Sequence, residues 1–405
     1  MRSSSIRNRP NYSCRSIRSP KRSVTTGKII ERREAAVLSP RAMQSQTSDD
    51  RRVWRSVAAA AHPEHIKLVT ELPVHTIYAE DREKIINSDA FRRSAGKAQV
   101  LIKPIDETIT TRLTHTIQVA QYARTAGRAL GLNEDLIEAI ALGHDNGHTP
   151  FGHAGERALN ELAKEHLGDR YSFSHNRYSF KLGSFWGLSH EVLDGILRHS
   201  GKIARVTRPS PKIDREDFSD SEKNPMTLEG CLVKVMDKIA SAGQDFFDLF
   251  HAGMIRNDNA WHLNTISGVC LLLKLGQTSL GHPHILHQAL LADIIKNSAG
   301  KKGIIFSRRA HLGFLFLQDF IDGVVRGKII DEGKHIEEDP GVKLEDEKAK
   351  HIIRTIFENR IRETGRQPEE LEDEEIIDII ENIALITDRM AIEEFDKITH
   401  PGALI

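Results

Sequence analysis

The sequence predicts an all-α fold. Apolar residues recur at helical spacing from about Arg51 to Lys328, runs of alternating strand character are scarce, and good helix-start and helix-stop residues sit where the periodic segments break. A chain of 405 residues with 39% hydrophobic residues can bury a sizeable core, as one large domain or as two.

The elements follow in order. The first thirty residues hold eight lysines and arginines, several serines and no acidic residue, so residues 1–50 are expected to form a disordered basic tail. The same composition suits an organellar transit peptide or a nucleic-acid-binding arm, and Met43 is an alternative start. Leu113, Ile117, Ala120, Ala123 and Leu130 mark a long helix beginning near Thr110. Asn133 is a good N-cap for the next one, with Glu134 and Asp135 placed against its positive end. Ile137, Ile140, Ala141 and His144 share its face, and Gly147 and Pro150 end it, which puts His144 and Asp145 in its last turn. A further helix from about Thr227 carries Leu232, Val235, Ile239, Ala242 and Phe246 as its apolar positions. Beside that stripe, Asp237, Ser241 and Asp245 line up at four-residue intervals. Beyond Arg326 the chain turns highly charged, yet Ile352, Ile356 and Ile361, then Ile376, Ile379, Ile380 and Ile383, keep helical spacing. The expected organisation is therefore a tail over 1–50, a helical core over 51–330, and a charged linker with a C-terminal helical extension over 331–405.

Lysine plus arginine and aspartate plus glutamate both number 57, so any anion site has to be local and no global charge draws the chain to nucleic acid or membrane. Three widely spaced cysteines offer neither a disulfide framework nor a thiolate zinc site, and a reducing, cytoplasmic setting is expected. No apolar run approaches the roughly 20 residues that cross a bilayer, so no membrane partner is expected.

The chemistry is concentrated in Gly143-His144-Asp145-Asn146-Gly147-His148-Thr149-Pro150-Phe151-Gly152-His153-Ala154-Gly155-Glu156, three histidines and two carboxylates in fourteen residues. Such density asks for a metal or a proton-transfer role. Adjacent residues on a helix point about 100° apart, but at a helix end both His144 and Asp145 can converge on an ion beyond the last turn. His115 and Asp237, on the neighbouring helices, are the candidates to complete a site of two imidazoles and two carboxylates. Taken singly, His115 reads as a satisfied core histidine and Asp237 as a helix-surface charge; their order and company change the reading.

That order resembles the HD-domain superfamily and, within it, the dGTPase-like deoxynucleoside triphosphate triphosphohydrolases. The resemblance rests on Asp89-Ala90-Phe91-Arg92-Arg93 with Lys97 and Gln99, on Thr111-Arg112-Leu113-Thr114-His115, on the His144-to-Glu156 string, and on Phe173-x-His175-Asn176. It implies an HD core of packed helices in which His115, His144, Asp145 and Asp237 hold a divalent ion, commonly Mn²⁺ or Mg²⁺. Ligands of nitrogen and oxygen without sulfur also suit Fe²⁺ or Zn²⁺. His153 and Glu156 match the family's catalytic pair and His148 and His175 its histidines near the triphosphate, while Arg112 and Lys238 match cationic phosphate contacts, and Gln99 and Asp245 readers of the deoxyribose 3′-hydroxyl, in a related HD-domain dNTPase. The residue types agree with these roles: histidines exchange protons near neutrality, Glu156 can orient His153, and phosphoryl chemistry depends mainly on positioning and positive charge.

Two departures stand out. Ser241 replaces a tyrosine that packs near the sugar, which puts sugar discrimination in doubt, and Ser94 and Ala98 replace the usual Leu and Thr, which bears on base preference. The expected reaction is hydrolysis of a deoxynucleoside triphosphate to deoxynucleoside and inorganic triphosphate. The rival readings are another HD phosphohydrolase, a phosphodiesterase or 5′-nucleotidase, and a nucleotide- or nucleic-acid-binding regulator with a vestigial site. Beside the dNTP, the resemblance implies a regulatory nucleotide and a homo-oligomer, with single-stranded nucleic acid as a weaker candidate partner.

Overall fold

The computed structural model describes residues 76–99, 109–211, 223–255, 259–276, 282–325, 330–331, 334–335 and 340–400. The expected basic tail over 1–50 lies outside the described residues. Those described form fourteen α-helices and two antiparallel pairs of two-residue strands, an all-α architecture.

Helices α1 (Ile77–Asn87) and α2 (Asp89–Arg93) precede α3 (Arg112–Leu130). Thr111 caps α3 by accepting from Thr114 N–H, and Gly131, at φ 71°, closes it in the left-handed region where glycine meets no steric penalty. The apolar stripe expected on α3 is partly corrected: Ile117 is 51% exposed, while His115, Thr116, Val119, Ala120, Ala123, Ala126 and Gly127 face inward. These small residues let α3 approach its neighbour closely, since a Cβ on Gly127 would lie 2.2 Å from Ile137 Cδ1.

Asn133 Oδ1 accepts from the N–H groups of Asp135 and Leu136, at 3.0 and 3.2 Å, and starts α4 (Glu134–Gly143). This helix ends slightly earlier than expected. His144 is its cap and Asp145 stands in the turn beyond, where Asn146 N–H bonds back to Gly143 O and His148 N–H to Asp145 O.

Next come α5 (Gly152–Leu167), α6 (His175–Phe185), α7 (His190–Leu197) and α8 (Leu228–His251). On α8, Leu232, Val235, Ile239, Ala242 and Phe246 are all buried. Helices α9 (Ala260–Leu273), α10 (Pro283–Ser298) and α11 (Arg308–Val325) complete this part. Strands β1 (Val206–Thr207) and β2 (Ile304–Ile305) pair antiparallel, as do β3 (Ile330–Asp331) and β4 (Lys334–His335).

Two apolar clusters hold the helices together. The larger joins α1, α3, α4 and α7 to α8 and α9 to α11, through residues such as Ile85, Val119, Ile140, Ile196, Leu232, Leu290 and Phe314. The second is built from α5 and three C-terminal helices, α12 (Pro340–Glu363), α13 (Asp373–Leu385) and α14 (Asp388–Thr399). There Leu159, Leu162, Ile353, Phe357, Ile380 and Ile383 are buried, each contributing about 1.5–3 kcal/mol by leaving water. The helix that follows the histidine-rich segment thus rests on the C-terminal extension. None of the described helices is long and apolar enough to cross a membrane.

Candidate active site

Glycine allows the histidine-rich segment to fold tightly. A Cβ on Gly147 would lie 2.4 Å from Ser179 N and 2.6 Å from His175 O, so only glycine lets this turn lie against the start of α6. Gly147 N–H also donates to Ser179 Oγ at 2.8 Å. Phe151 takes a left-handed conformation, φ 61°, and launches α5 so that His153 falls in its first turn and Glu156 just beyond it.

The structure brings together the four residues expected to hold an ion. His115 comes from α3, Asp237 from α8, and His144 and Asp145 from the end of α4; none is more than 6% exposed. His115 Nε2 lies 3.0 Å from Asp237 Oδ1, and His144 Nε2 lies 3.6 Å from Asp145 Oδ1 and 3.7 Å from Asp237 Oδ1. Burial works against both carboxylates ionising. For Asp145 the charges of His144, His148 and Arg112 outweigh burial, for Asp237 the charge of Lys238 and the hydrogen bonds with His115 and His144 do, and both acids are held well below the usual carboxylate range.

These residues fit a divalent cation. His144 Nδ1 lies 2.6 Å from Ala141 O, so that nitrogen carries the hydrogen and Nε2 presents its lone pair. Among the described residues the buried Nε2 has no hydrogen-bond partner. Donor atoms 3.0–3.7 Å apart are spaced as neighbouring ligands are. Bonds of about 2.0–2.2 Å put ligands about 3.0 Å apart at right angles and about 3.5 Å apart in a tetrahedron.

The two expected phosphate cations each lean on one of these acids. Arg112 donates through Nη1 to Asp145 Oδ2 at 2.8 Å, through Nε to Ala98 O at 3.1 Å, and through Nη2 to Gln99 O at 3.3 Å. Lys238 Nζ lies 2.9 Å from Asp237 Oδ2. Further along α8, burial and then Asp248 raise the Asp245 carboxyl well above the usual range. Asp245 Oδ1 and Gln99 Oε1 are buried without a hydrogen-bond partner among the described residues, as polar atoms awaiting a ligand would be. Ser241 sits between Asp237 and Asp245 on the same helix.

His153 and Glu156 form a contact pair beside this centre. His153 Nδ1 is 3.0 Å from Glu156 Oε2, while Glu156 Oε1 accepts from His175 N–H at 2.8 Å and faces His175 Nδ1 at 2.9 Å. Burial opposes ionisation of Glu156, but His175 and the hydrogen bonds from both rings keep it far below its usual range. With Nδ1 paired to Glu156, His153 keeps Nε2 out of that contact, and the two residues line a cleft of about 260 Å³ together with Arg157, Asn160 and Phe173. His148 bridges the two groups: its Nε2 is 3.7 Å from Asp145 Oδ1 and its ring stacks on His175 with centroids 4.0 Å apart.

Residues that the sequence reading left aside also meet here. His199, one residue past the cap of α7, lies with Nε2 3.7 Å from Asp145 Oδ1. The available signal was a histidine closely followed by a glycine, Gly201, at a helix end, the pattern that marks His144 and Gly147. Lys97, quoted above only within a motif, donates to His148 O and Ala384 O at 2.5 and 2.8 Å. Asp388 accepts from Ala98 N–H and Phe151 N–H, both at 2.9 Å. No short-range pattern marks Asp388, which reaches the site from α14.

The HD domain family model matches residues 112–242, the stretch from Arg112 past Asp237. A deoxyguanosinetriphosphate triphosphohydrolase-like protein of Desulfatibacillum aliphaticivorans is 31% identical over 405 residues, covering 94% of this chain and 100% of that protein. The protein of the same name from Caldanaerobacter subterraneus subsp. tengcongensis is 33% identical over 388 residues, 92% of this chain and 96% of its own length. One from Brucella anthropi is 41% identical over 206 residues, 46% of this chain and 50% of that protein. With matches along nearly its whole length, and with the HD residues gathered at one centre, the chain belongs to the HD-domain family of deoxyguanosinetriphosphate triphosphohydrolase-like proteins.

Proposed function

We propose that the protein hydrolyses deoxynucleoside triphosphates at the α-phosphorus, releasing deoxynucleoside and inorganic triphosphate. The carrying observation is the His153–Glu156 pair, 3.0 Å apart, standing next to a buried donor set that fits a divalent ion. In this reading His115, His144, Asp145 and Asp237 hold Mn²⁺ or Mg²⁺. When bound, the ion supplies a Lewis acid for a phosphate oxygen and a site for the attacking water.

The chain's own residues do the rest. Water oxygen bonds to the α-phosphorus, the bond from phosphorus to the 5′-oxygen breaks, and that oxygen takes a proton. His153, oriented through Nδ1 by Glu156, moves a proton at Nε2. Arg112 and Lys238 hold Asp145 and Asp237 in place and add positive charge against the triphosphate, and His148 and His175 present stacked rings toward it. Gln99 and Asp245 offer their unpartnered atoms to the 3′-hydroxyl.

Incubating the purified protein with each dNTP and Mn²⁺, and resolving products by ion exchange, tests the reading. Inorganic triphosphate with deoxynucleoside is expected. Monophosphate or orthophosphate would assign the site to a phosphodiesterase or nucleotidase instead, and metal binding without turnover to a regulator. Size exclusion with and without dNTP reads out the self-association and the regulatory nucleotide that belong to the same proposal.

A further inference from the structure

Nine large apolar side chains are exposed among the described residues, and four of them, Leu263, Leu271, Leu312 and Phe316, gather on α9 and α11 at 44–71% exposure. The other five are spread over α1, α3, α6 and α14. Single exposed apolar residues are normal on a protein surface, whereas a cluster marks a face that meets something. The two helices pack directly on each other. Arg309 donates through Nε to Leu272 O at 2.8 Å and through Nη2 to Leu271 O, a Cβ on Gly313 would lie 2.8 Å from Leu273 Cδ2, and Phe316 Cε1 lies 3.7 Å from where a Cβ on Gly268 would stand.

Helix α9 has no charged face. Its fourteen residues include no lysine, arginine, aspartate or glutamate, and Leu263, Ser267 and Leu271 follow one another along one side at four-residue steps. A helix that is apolar without a charged side is ordinarily covered.

Charge on α11 identifies the cover. Arg308, Leu312, Phe316 and Asp319 are all exposed and, at 100° per residue, fall within an arc of about 80°. One stripe therefore carries a cation at one end, an anion at the other and two large apolar side chains between them. Neither Arg308 nor Asp319 forms an ion pair among the described residues. They stand about 16 Å apart along the axis, on either side of a midpoint at Gly313 and Phe314. Turned end for end about that midpoint, the stripe complements itself: Arg308 meets Asp319 of a second copy at both ends, and Leu312 and Phe316 of both copies are enclosed. A two-fold interface requires this kind of self-complementarity. A lipid surface or a polyanion would call for one sign of charge along the stripe.

We propose that a second copy of this chain docks on α9 and α11, its α11 antiparallel to the first across a two-fold axis near Gly313 and Phe314. Leu263 and Leu271 extend the apolar contact onto α9. The inference rests on the self-association proposed above and gives it a surface; metal and substrate play no part in it.

Sedimentation velocity of the full chain over a range of concentrations tests this. Wild-type protein is expected to reach a dimer or a multiple of it. Leu312→Glu and Phe316→Glu, at half-exposed positions that the fold should tolerate, bury an unpaired charge in the interface and should raise the dimer Kd at least about tenfold. Arg308→Asp and Asp319→Arg each turn two attractive pairs into two repulsive ones and should also raise it about tenfold, whereas the double variant should restore the wild-type Kd. That restoration is the signature of the antiparallel two-fold, since no other occupant of the face would produce it. Wild-type protein that stays monomeric at every concentration overturns the inference together with the proposed self-association, and leaves the face to another segment of this chain or to a different partner. An oligomer indifferent to Phe316→Glu overturns the inference alone. One that the apolar variants weaken, but that the double charge variant does not restore, overturns the antiparallel geometry.

Discussion

Arg112 Nη1 donates to Asp145 Oδ2 across 2.8 Å, and both side chains are almost inaccessible. Two further hydrogen bonds, to Ala98 O and Gln99 O, fix the guanidinium plane. Arg112 therefore sets the angle at which Asp145 offers Oδ1 to the centre. Arg112→Lys keeps the charge but not the planar fork. It is expected to weaken Mn²⁺ binding by about 10–100-fold, the usual worth of a group that orients a metal ligand. Titration calorimetry with Mn²⁺ checks this: unchanged metal affinity with only a raised KM would make Arg112 a phosphate contact alone.

His153→Ala should lower kcat for dGTP about 10²–10⁴-fold, the usual worth of general acid–base catalysis. The fold should tolerate the change because the side chain is 65% exposed. Metal content should not change, since His153 stands outside the quartet. Single-turnover rates paired with elemental analysis decide. A near-normal rate would remove the pair from catalysis, and a lost ion would make His153 a ligand.

Dideoxynucleotides should be poor substrates. Gln99 Oε1 and Asp245 Oδ1 are buried without a hydrogen-bond partner among the described residues, and a site built to bond a hydroxyl leaves such atoms unpaired when the hydroxyl is missing. Comparing kcat/KM for dGTP and ddGTP gives the answer. Equal values would take both residues out of sugar recognition.

Asp388 joins two segments at the site. One carboxylate oxygen accepts from Ala98 N–H, next to the carbonyls that hold Arg112, and the other from Phe151 N–H, at the strained entry to α5. Asp388→Ala leaves both part-buried amides unpaired and should cost about 2–6 kcal/mol of stability, at about 1–3 kcal/mol for each donor. Below the unfolding transition kcat should fall with little change in KM, because His153 and Arg112 lose a common support. Urea denaturation and steady-state kinetics on the variant test both parts. A wild-type kcat would confine Asp388 to a purely structural role.

Acid should destabilise the fold through His287. Burial holds this ring's pKa down to about 4, with Nδ1 2.8 Å from Tyr122 Oη. In the unfolded chain it titrates near 6.5, so between about 6.5 and 4 the unfolded state binds the extra proton. The contribution is fully present above pH 6.5 and is lost as pH falls toward 4, up to about 3 kcal/mol in all. His287→Gln should therefore lose less stability than wild type between pH 7 and pH 5. Urea midpoints at the two values measure it; equal losses would clear His287.

Much of the site was legible because helix ends and ligand types leave local marks. The step from Asn133 to Gly147 announces a short helix with His144 and Asp145 at its exit, and the chain builds it with an error of about one turn position. The buried stripe of α8 was likewise readable, since its five expected positions all face the core. Ile117 misled for a physical reason: on α3 an inward position belongs to His115, and periodicity counts apolar residues without knowing that a polar one is wanted inside.

By itself, the sequence determined the helical class, the order of the histidines and carboxylates, and which elements carry them, because these depend on spacing along one chain. Tertiary structure alone decided that Arg112 and Lys238 lean on Asp145 and Asp237, that His199 turns toward Asp145, and that Lys97 and Asp388 bind the site to the C-terminal helices. Those contacts join residues up to 290 positions apart. Side chains so distant meet only when apolar burial has packed α5 against α12 to α14 and α3 against α8, and no local spacing encodes which of their polar atoms then come within hydrogen-bonding reach.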